Sequence, residues 1–191
     1  MSFSKTVANV NLDAVASVAE IKNFLRVEHT ADDALLTHIR KSAVEYVEQY
    51  TNTLIGRYTC VGYADGFTAQ HFPVGPVAEI SSVEYLGRDA GDYATLSTTK
   101  YFADLDATPA RIRFHDTPTL AENEFNRVKI TFTAGHSTQS AAVPPSMAHA
   151  VYMLAANMYE QRLPEVVGTI SSATQFGVRA LLAPHRIIFA Q

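Results

Sequence analysis

The hydrophobic pattern changes period twice along this chain, and that limits the folds open to it. Leu35, Leu36, Ile39, Ala43, Tyr46, Val47 and Tyr50 recur every three or four positions. They form one stripe on a helix of about twenty residues. In the middle the spacing falls to two. Val128, Ile130 and Phe132 alternate with Lys129, Thr131 and Thr133, and Ile112 and Phe114 alternate with Arg111, Arg113 and His115. Such alternation belongs to half-buried strands with one face on a core. Helical spacing returns after Val143-Pro144-Pro145, where Met147, Val151, Leu154, Ala155, Met158 and Tyr159 share a face. Prolines suit a first helical turn.

Local signals fill in the frame. Ser17-Val-Ala-Glu20 reads as a capping box opening a short helix to about Arg26. Thr30-Ala-Asp-Asp33 reads as the cap of the long helix, which should stop near Thr51 and Asn52. Weaker strand signals run through 57–63, 67–72, 77–86 and 101–105. Turns at Asp65-Gly66, Gly75-Pro76, Gly87-Arg-Asp-Ala-Gly91 and Pro109 separate them. An antiparallel meander has this look, and parallel βαβ units do not. The expected class is α+β. Its helical body has two N-terminal helices, one long central helix and a short C-terminal helix near 178–182. An antiparallel β region is inserted over about 57–133. Residues 1–16 lack periodicity and read as an arm, 17–182 as one domain, and 183–191 as a tail.

Composition excludes several classes. With 191 residues, 47% apolar and 18% charged, the chain can bury a core without staples. A single cysteine, Cys60, rules out an internal disulfide framework and reads as an inert, half-buried thiol. No run nears the roughly 18 apolar residues of a membrane span, and no secretory leader is visible. A soluble, non-secreted domain is expected. Net charge is −4, with no basic cluster to grip phosphates, so specific nucleic-acid binding is not expected.

Catalytic leads are thin. Gly135-His136-Ser137 follows the strongest strand and resembles a nucleophile elbow, but Gln139 stands where that turn needs glycine. Residues 140–145 also delay the helix that should follow at once. None of the seven histidines shows HExxH or HxxxH spacing. His29, His38, His71, His115 and His149 read as scattered surface or satisfied side chains. Asp104 and Asp106 could pair as carboxylates, or lie on a solvated loop edge. No phosphate-cradling glycine motif occurs. No catalytic, cofactor or metal site is expected.

The anomaly is the end of the chain. Ile187, Ile188 and Phe189 lie between Arg186 and Ala190-Gln191. Chain ends fray unless docked. These bulky groups either return to their own core or occupy a partner's groove or sheet edge. Acids on the long helix, Asp32, Asp33, Glu45 and Glu48, either serve subunit contacts or a channel wall, or form a solvated face.

Four stretches carry a family resemblance. The first is Val18-Ala-Glu-Ile-Lys-Asn-Phe-Leu-Arg-Val27, running through Asp32-Asp-Ala-Leu-Leu36 to Ala43-Val-Glu-Tyr-Val-Glu48. The second is the 77–86 stretch. The third is Arg127-Val-Lys-Ile-Thr-Phe-Thr-Ala-Gly135 with Val143-Pro144. The fourth is 150–162, ending Met158-Tyr-Glu-Gln-Arg162, with Val178-Arg-Ala-Leu-Leu-Ala-Pro-His-Arg186. In this order the chain resembles the tailed-phage head–tail connector, or adaptor, proteins, which also occur in phage-derived gene transfer agents.

The resemblance implies a structural protein of the virion neck, made in the host cytoplasm, with no catalysis, cofactor or membrane. Such connectors form a homo-oligomeric, twelve-fold ring under the portal protein. Stopper or tail proteins attach below, and genome DNA passes through without sequence-specific binding. It also implies that Leu181, Leu182, Pro184, Arg186, Ile187, Ile188 and Phe189 dock on the portal or on a neighbouring subunit. Two alternatives stay open: a stopper or tail-completion protein of the same neck, and a small α+β hydrolase or ligand-binding domain using the 134–140 loop.

Overall fold

Glu20 closes the start of the first helix as the capping box predicts. Its backbone N–H donates to Ser17 Oγ at 3.2 Å, and its Oε2 accepts the Ser17 backbone N–H at 2.8 Å. In the computed structural model this helix, α1, spans Val18–Leu25 and ends at Arg26, where φ is 58°. The structure describes residues 2–6, 16–88, 91–122, 124–136, 143–161 and 171–188. The chain divides into two compact units. One comprises Asn11–Gly56 and His136–Arg186. The other comprises Met1–Val10, Arg57–Gly135 and Ile187–Gln191.

The first of these units is helical. After α1 come α2 (Asp33–Thr51), α3 (Pro145–Glu160) and α4 (Ser171–Leu182), then a 3-10 turn, Ala183–His185. The stripe on α2 buries Leu36, Ile39, Ala43, Val44 and Val47. That helix stops at Asn52 with φ 55°, a left-handed value that asparagine tolerates. Met147, Ala150, Val151 and Ala155 are the buried side of α3, which touches each of the other three helices. Ile21, Val178 and Leu182 join them in one core, with Leu154, Met158 and Tyr159 half-buried at its margin.

Two local expectations change here. Asp32 holds the N-cap position of α2, yet its side chain makes no capping bond. Its Oδ2 accepts the Tyr159 hydroxyl proton at 2.5 Å instead, a partner 127 residues away. The C-terminal helix begins at Ser171, well before 178. Serine, threonine and glycine are weak helix formers, so packing rather than propensity extends it. At Gly177 a Cβ would meet only Met153 Cε of α3, at 3.7 Å.

The second unit is all antiparallel. Its five-stranded sheet runs β1 (Ser2–Thr6), β2 (Tyr58–Ala64), β8 (Val128–Ala134), β4 (Val77–Leu86) and β5 (Tyr93–Thr95), in that spatial order. A three-stranded sheet orders β3 (Gln70–His71), β7 (Arg111–Phe114) and β6 (Tyr101–Asp104). Every second residue of β2 and β8 is buried, and Cys60 lies opposite Phe132, Gly62 opposite Ile130. The edge of Phe72 meets the Phe132 ring with centroids 4.8 Å apart, both side chains fully buried. Strand β4 shifts register twice against β8, at Val77/Glu79 and Ile80/Ser82.

Differences from the sequence reading have physical causes. Residues 2–6, within the stretch read as an arm, pair with β2 from Ser2↔Tyr63 to Thr6↔Thr59. An edge strand needs backbone partners more than apolar side chains, so Ser, Lys and Thr left little signal. The 67–72 signal shrinks to β3, because Phe67 turns its ring onto Phe114 at 5.2 Å and Tyr85 at 6.0 Å. Cys60 is fully rather than half buried. The fold is α+β, with four helices and antiparallel sheets among the described residues.

Candidate functional site

The C-terminal segment is fastened over most of its described length. Leu182, the last residue of α4, is fully buried, Leu181 half-buried, and Pro184 exposed. In the helical unit, His185 Nε2 and Ser146 Oγ are 2.7 Å apart, and the Thr53 hydroxyl donates to the His185 carbonyl at 3.2 Å. The Arg186 guanidinium sits 5.5 Å from the centre of the Tyr50 ring, within cation–π range. In the β unit, Ile187 is 7% exposed, while Ile188 is 73% exposed. Phe189 lies outside the described residues. Of the segment expected to dock, Leu182 and Ile187 are core side chains, and Ile188 is the large apolar group facing outward.

The motifs that hinted at chemistry have structural partners. Gly135 takes φ 109°, and its N–H donates to the Pro76 carbonyl at 2.7 Å. The His136 N–H donates to the Leu54 carbonyl at 3.0 Å. Ser137 and Gln139 lie outside the described residues. Asp104 pairs not with Asp106 but with Arg111, at 3.0 Å to Nε and 2.8 Å to Nη2, and it also accepts the Ala107 N–H. Ser146 and His185, which sequence reasoning missed as a pair, have the reach of a nucleophile and base. They sit 39 residues apart and tie the 3-10 turn to the first turn of α3.

The acids of α2 separate in the same way. Asp33 Oδ1 takes Lys22 Nζ at 2.8 Å, and Asp32 takes Tyr159. Glu45 is exposed and accepts Gln49 Nε2 at 3.2 Å. Glu48 is 5% exposed, and its Oε1 accepts the Ile55 N–H at 2.9 Å. That removes Glu48 from any solvated face or channel wall. A buried carboxylate is tolerable only when its oxygens are hydrogen-bonded, and this one closes the loop after α2.

Among the described residues, the larger open clefts on the β unit measure about 710 and 430 Å³. Asp65 and Arg127 border the larger, but Asp65 Oδ1 accepts the Asn126 N–H at 2.8 Å and Arg127 Nη1 donates to the Ala121 carbonyl at 3.0 Å. Four groups titrate away from their ordinary range. The Lys100 ammonium beside Asp116 holds that carboxyl low, and the Glu84 carboxylate holds Lys129 high. Burial raises the Tyr93 and Tyr152 hydroxyls. None of the four borders either cleft, whereas catalytic sites gather such groups in a cleft. Among the described residues, no group of three or more His, Cys, Asp and Glu is placed to hold a metal ion. No described helix is long and apolar enough to cross a membrane.

Residues 15–108 match the family model described as Phage gp6-like head-tail connector protein. The whole chain also superposes on a chain from the neck of an empty gene transfer agent particle computed with C6 symmetry. The TM-score is 0.82 at 26% identity, covering 100% of this chain and 98% of that one. The family match covers just under half of the chain, which is similar over that stretch to phage head–tail connectors. A chain in the virion of a native gene transfer agent particle matches this one with a TM-score of 0.77 at 25% identity, again over 100% and 98%. A third, from the neck of a native particle computed with C12 symmetry, shares the fold with a TM-score of 0.78 at 24% identity over 100% and 98%. No curated protein matches the chain. The family match spans α1, α2 and β2 to β6, and the neck chains extend the likeness to β1, β7, β8, α3 and α4.

Proposed function

We propose that the chain is one subunit of a ring in the neck of a phage or gene transfer agent particle. The ring holds twelve copies, lies under the portal and gives stopper or tail proteins their attachment. Genome DNA passes through it without sequence-specific binding, in keeping with a net charge of −4 and no basic cluster. The observation that carries this reading is the end-to-end match to a neck chain, 100% of one and 98% of the other. Each copy meets the next through unlike surfaces, which closes a ring when the rotation between subunits allows. Within each subunit α3 is the central helix of the body, and the β unit, inserted between α2 and α3, faces other neck components.

No chemistry is assigned to the chain. Its C-terminal segment, Leu181, Leu182, Pro184, Arg186, Ile187, Ile188 and Phe189, docks on the portal. Leu182 and Ile187 anchor the segment in the chain's own cores, and Ile188 supplies the outward apolar contact. The test is the mass of the purified protein, alone and mixed with portal protein from the same particle, by light scattering at moderate salt. A ring-sized species, or a monomer that joins the portal, is expected. A monomer indifferent to the portal would contradict the reading.

A further inference from the structure

Ile187 and Ile188 are chemically the same and adjacent, yet one is 7% exposed and the other 73%. Backbone at Arg186 is extended, with φ −73° and ψ 120°. The Ile187 side chain lies on the β unit against Gly75, and together with Pro76, Val77 and residues 105–110 the two line a groove of about 260 Å³. Its Cδ1 lies only 2.8 Å from where a Cβ on residue 75 would stand. Gly75 has no left-handed φ, so the backbone does not demand glycine there. What favours it is the approach of Ile187, whose Cδ1 would have to shift to admit a Cβ.

We propose that Gly75 and Ile187 form a hook that sets the course of the chain end and presents Ile188 to the portal in one orientation. This rests on the docking role given to the segment above. Holding a contact residue in its bound orientation spares the ordering that association otherwise exacts. Gly75 and Ile187 are therefore positioning residues, acting through Ile188 without touching the partner.

The hook has a compensating pair. Gly75→Ala sets a methyl against Ile187 Cδ1, and Ile187→Val removes that same atom. Affinity for immobilised portal protein from the same particle is measured beside urea denaturation for each variant. Gly75→Ala should bind about three- to tenfold more weakly, the cost of one side chain left to be ordered on binding. The double variant should return to within about twofold of wild type, since the two changes share one contact. Ile188→Asp should bind at least about thirtyfold more weakly, as loss of an interface hot spot does.

If Ile188→Asp weakens binding and Gly75→Ala does not, the hook is wrong and the docking role stands. Weakening by Gly75→Ala that the double variant fails to reverse also overturns the hook. Unchanged binding by Ile188→Asp overturns the docking role itself. Should Gly75→Ala lose its fold, Ile187→Ala, which removes the contact with Gly75 without a clash, carries the test: weaker binding by a folded variant supports the hook, and unchanged binding overturns it.

Discussion

The Glu48 carboxylate accepts the backbone N–H of Ile55 at 2.9 Å, with both residues buried. A side chain from the last turns of α2 thus satisfies a donor in the loop that leaves it, and Thr51 Oγ1 does likewise for the Thr53 N–H at 3.3 Å. Glu48→Ala strands the Ile55 donor and should lower stability by about 2–3 kcal/mol. Glu48→Gln keeps an acceptor oxygen and should lose less. Urea denaturation of the two variants checks the order. Equal losses would mean that the carbonyl of residue 48 is not what holds Ile55.

At the centre of the β unit, Phe72 and Phe132 are fully buried with centroids 4.8 Å apart. Phe132→Ala opens a cavity beside Phe72 and should cost about 3–5 kcal/mol, whereas Phe132→Leu, which fills most of it, should cost markedly less. Near-ultraviolet circular dichroism and urea midpoints report both.

Much of this architecture was legible because its causes are local. The Ser17–Glu20 box spans four residues, the α2 stripe repeats for about four turns, and the alternation in β8 has no competing period. What stayed hidden depends on partners far along the chain. Asp32 looks like a cap until Tyr159 takes its carboxylate, and Glu48 looks like a surface acid until the loop to Ile55 folds back over it. Strand β1 is polar and takes its definition from β2, more than fifty residues on. At the chain end, Ile187 and Ile188 read alike in sequence, and only the groove at Gly75 tells them apart.

Alkaline pH should separate one surface pair from the rest. Lys129 Nζ lies 2.7 Å from Glu84 Oε2, and that carboxylate raises the lysine above its ordinary range. A lysine whose folded pKa exceeds its unfolded value of about 10.4 contributes fully below that pH. The contribution is lost as pH rises through the folded value. Glu84→Gln should therefore be less stable than wild type at neutral pH by about 0.2–1 kcal/mol, the range of partly exposed pairs. The gap should close as pH rises through that folded value. Tyr93 and Tyr152, raised by burial, add a common decline in the same direction. A gap that persists at high pH would assign the effect to something other than Lys129.

Gly177 invites the opposite substitution to Gly75. It lies inside α4, and a Cβ there would make only ordinary contact with Met153 Cε at 3.7 Å. Gly177→Ala should stabilise the helical unit by about 0.5–1 kcal/mol through helix propensity. A higher thermal midpoint checks it, and a lower one would mean that α3 and α4 cannot accommodate a methyl between them.

The central proposal is that this chain joins heads to tails, and the most direct measurement is electron microscopy of particles assembled without it. Cells producing the phage or transfer agent with the gene deleted should yield DNA-containing heads with portals and no tails. Adding the purified chain and free tails should restore tailed particles. Tailed particles of normal infectivity, or transfer activity, in the absence of the chain would contradict the account.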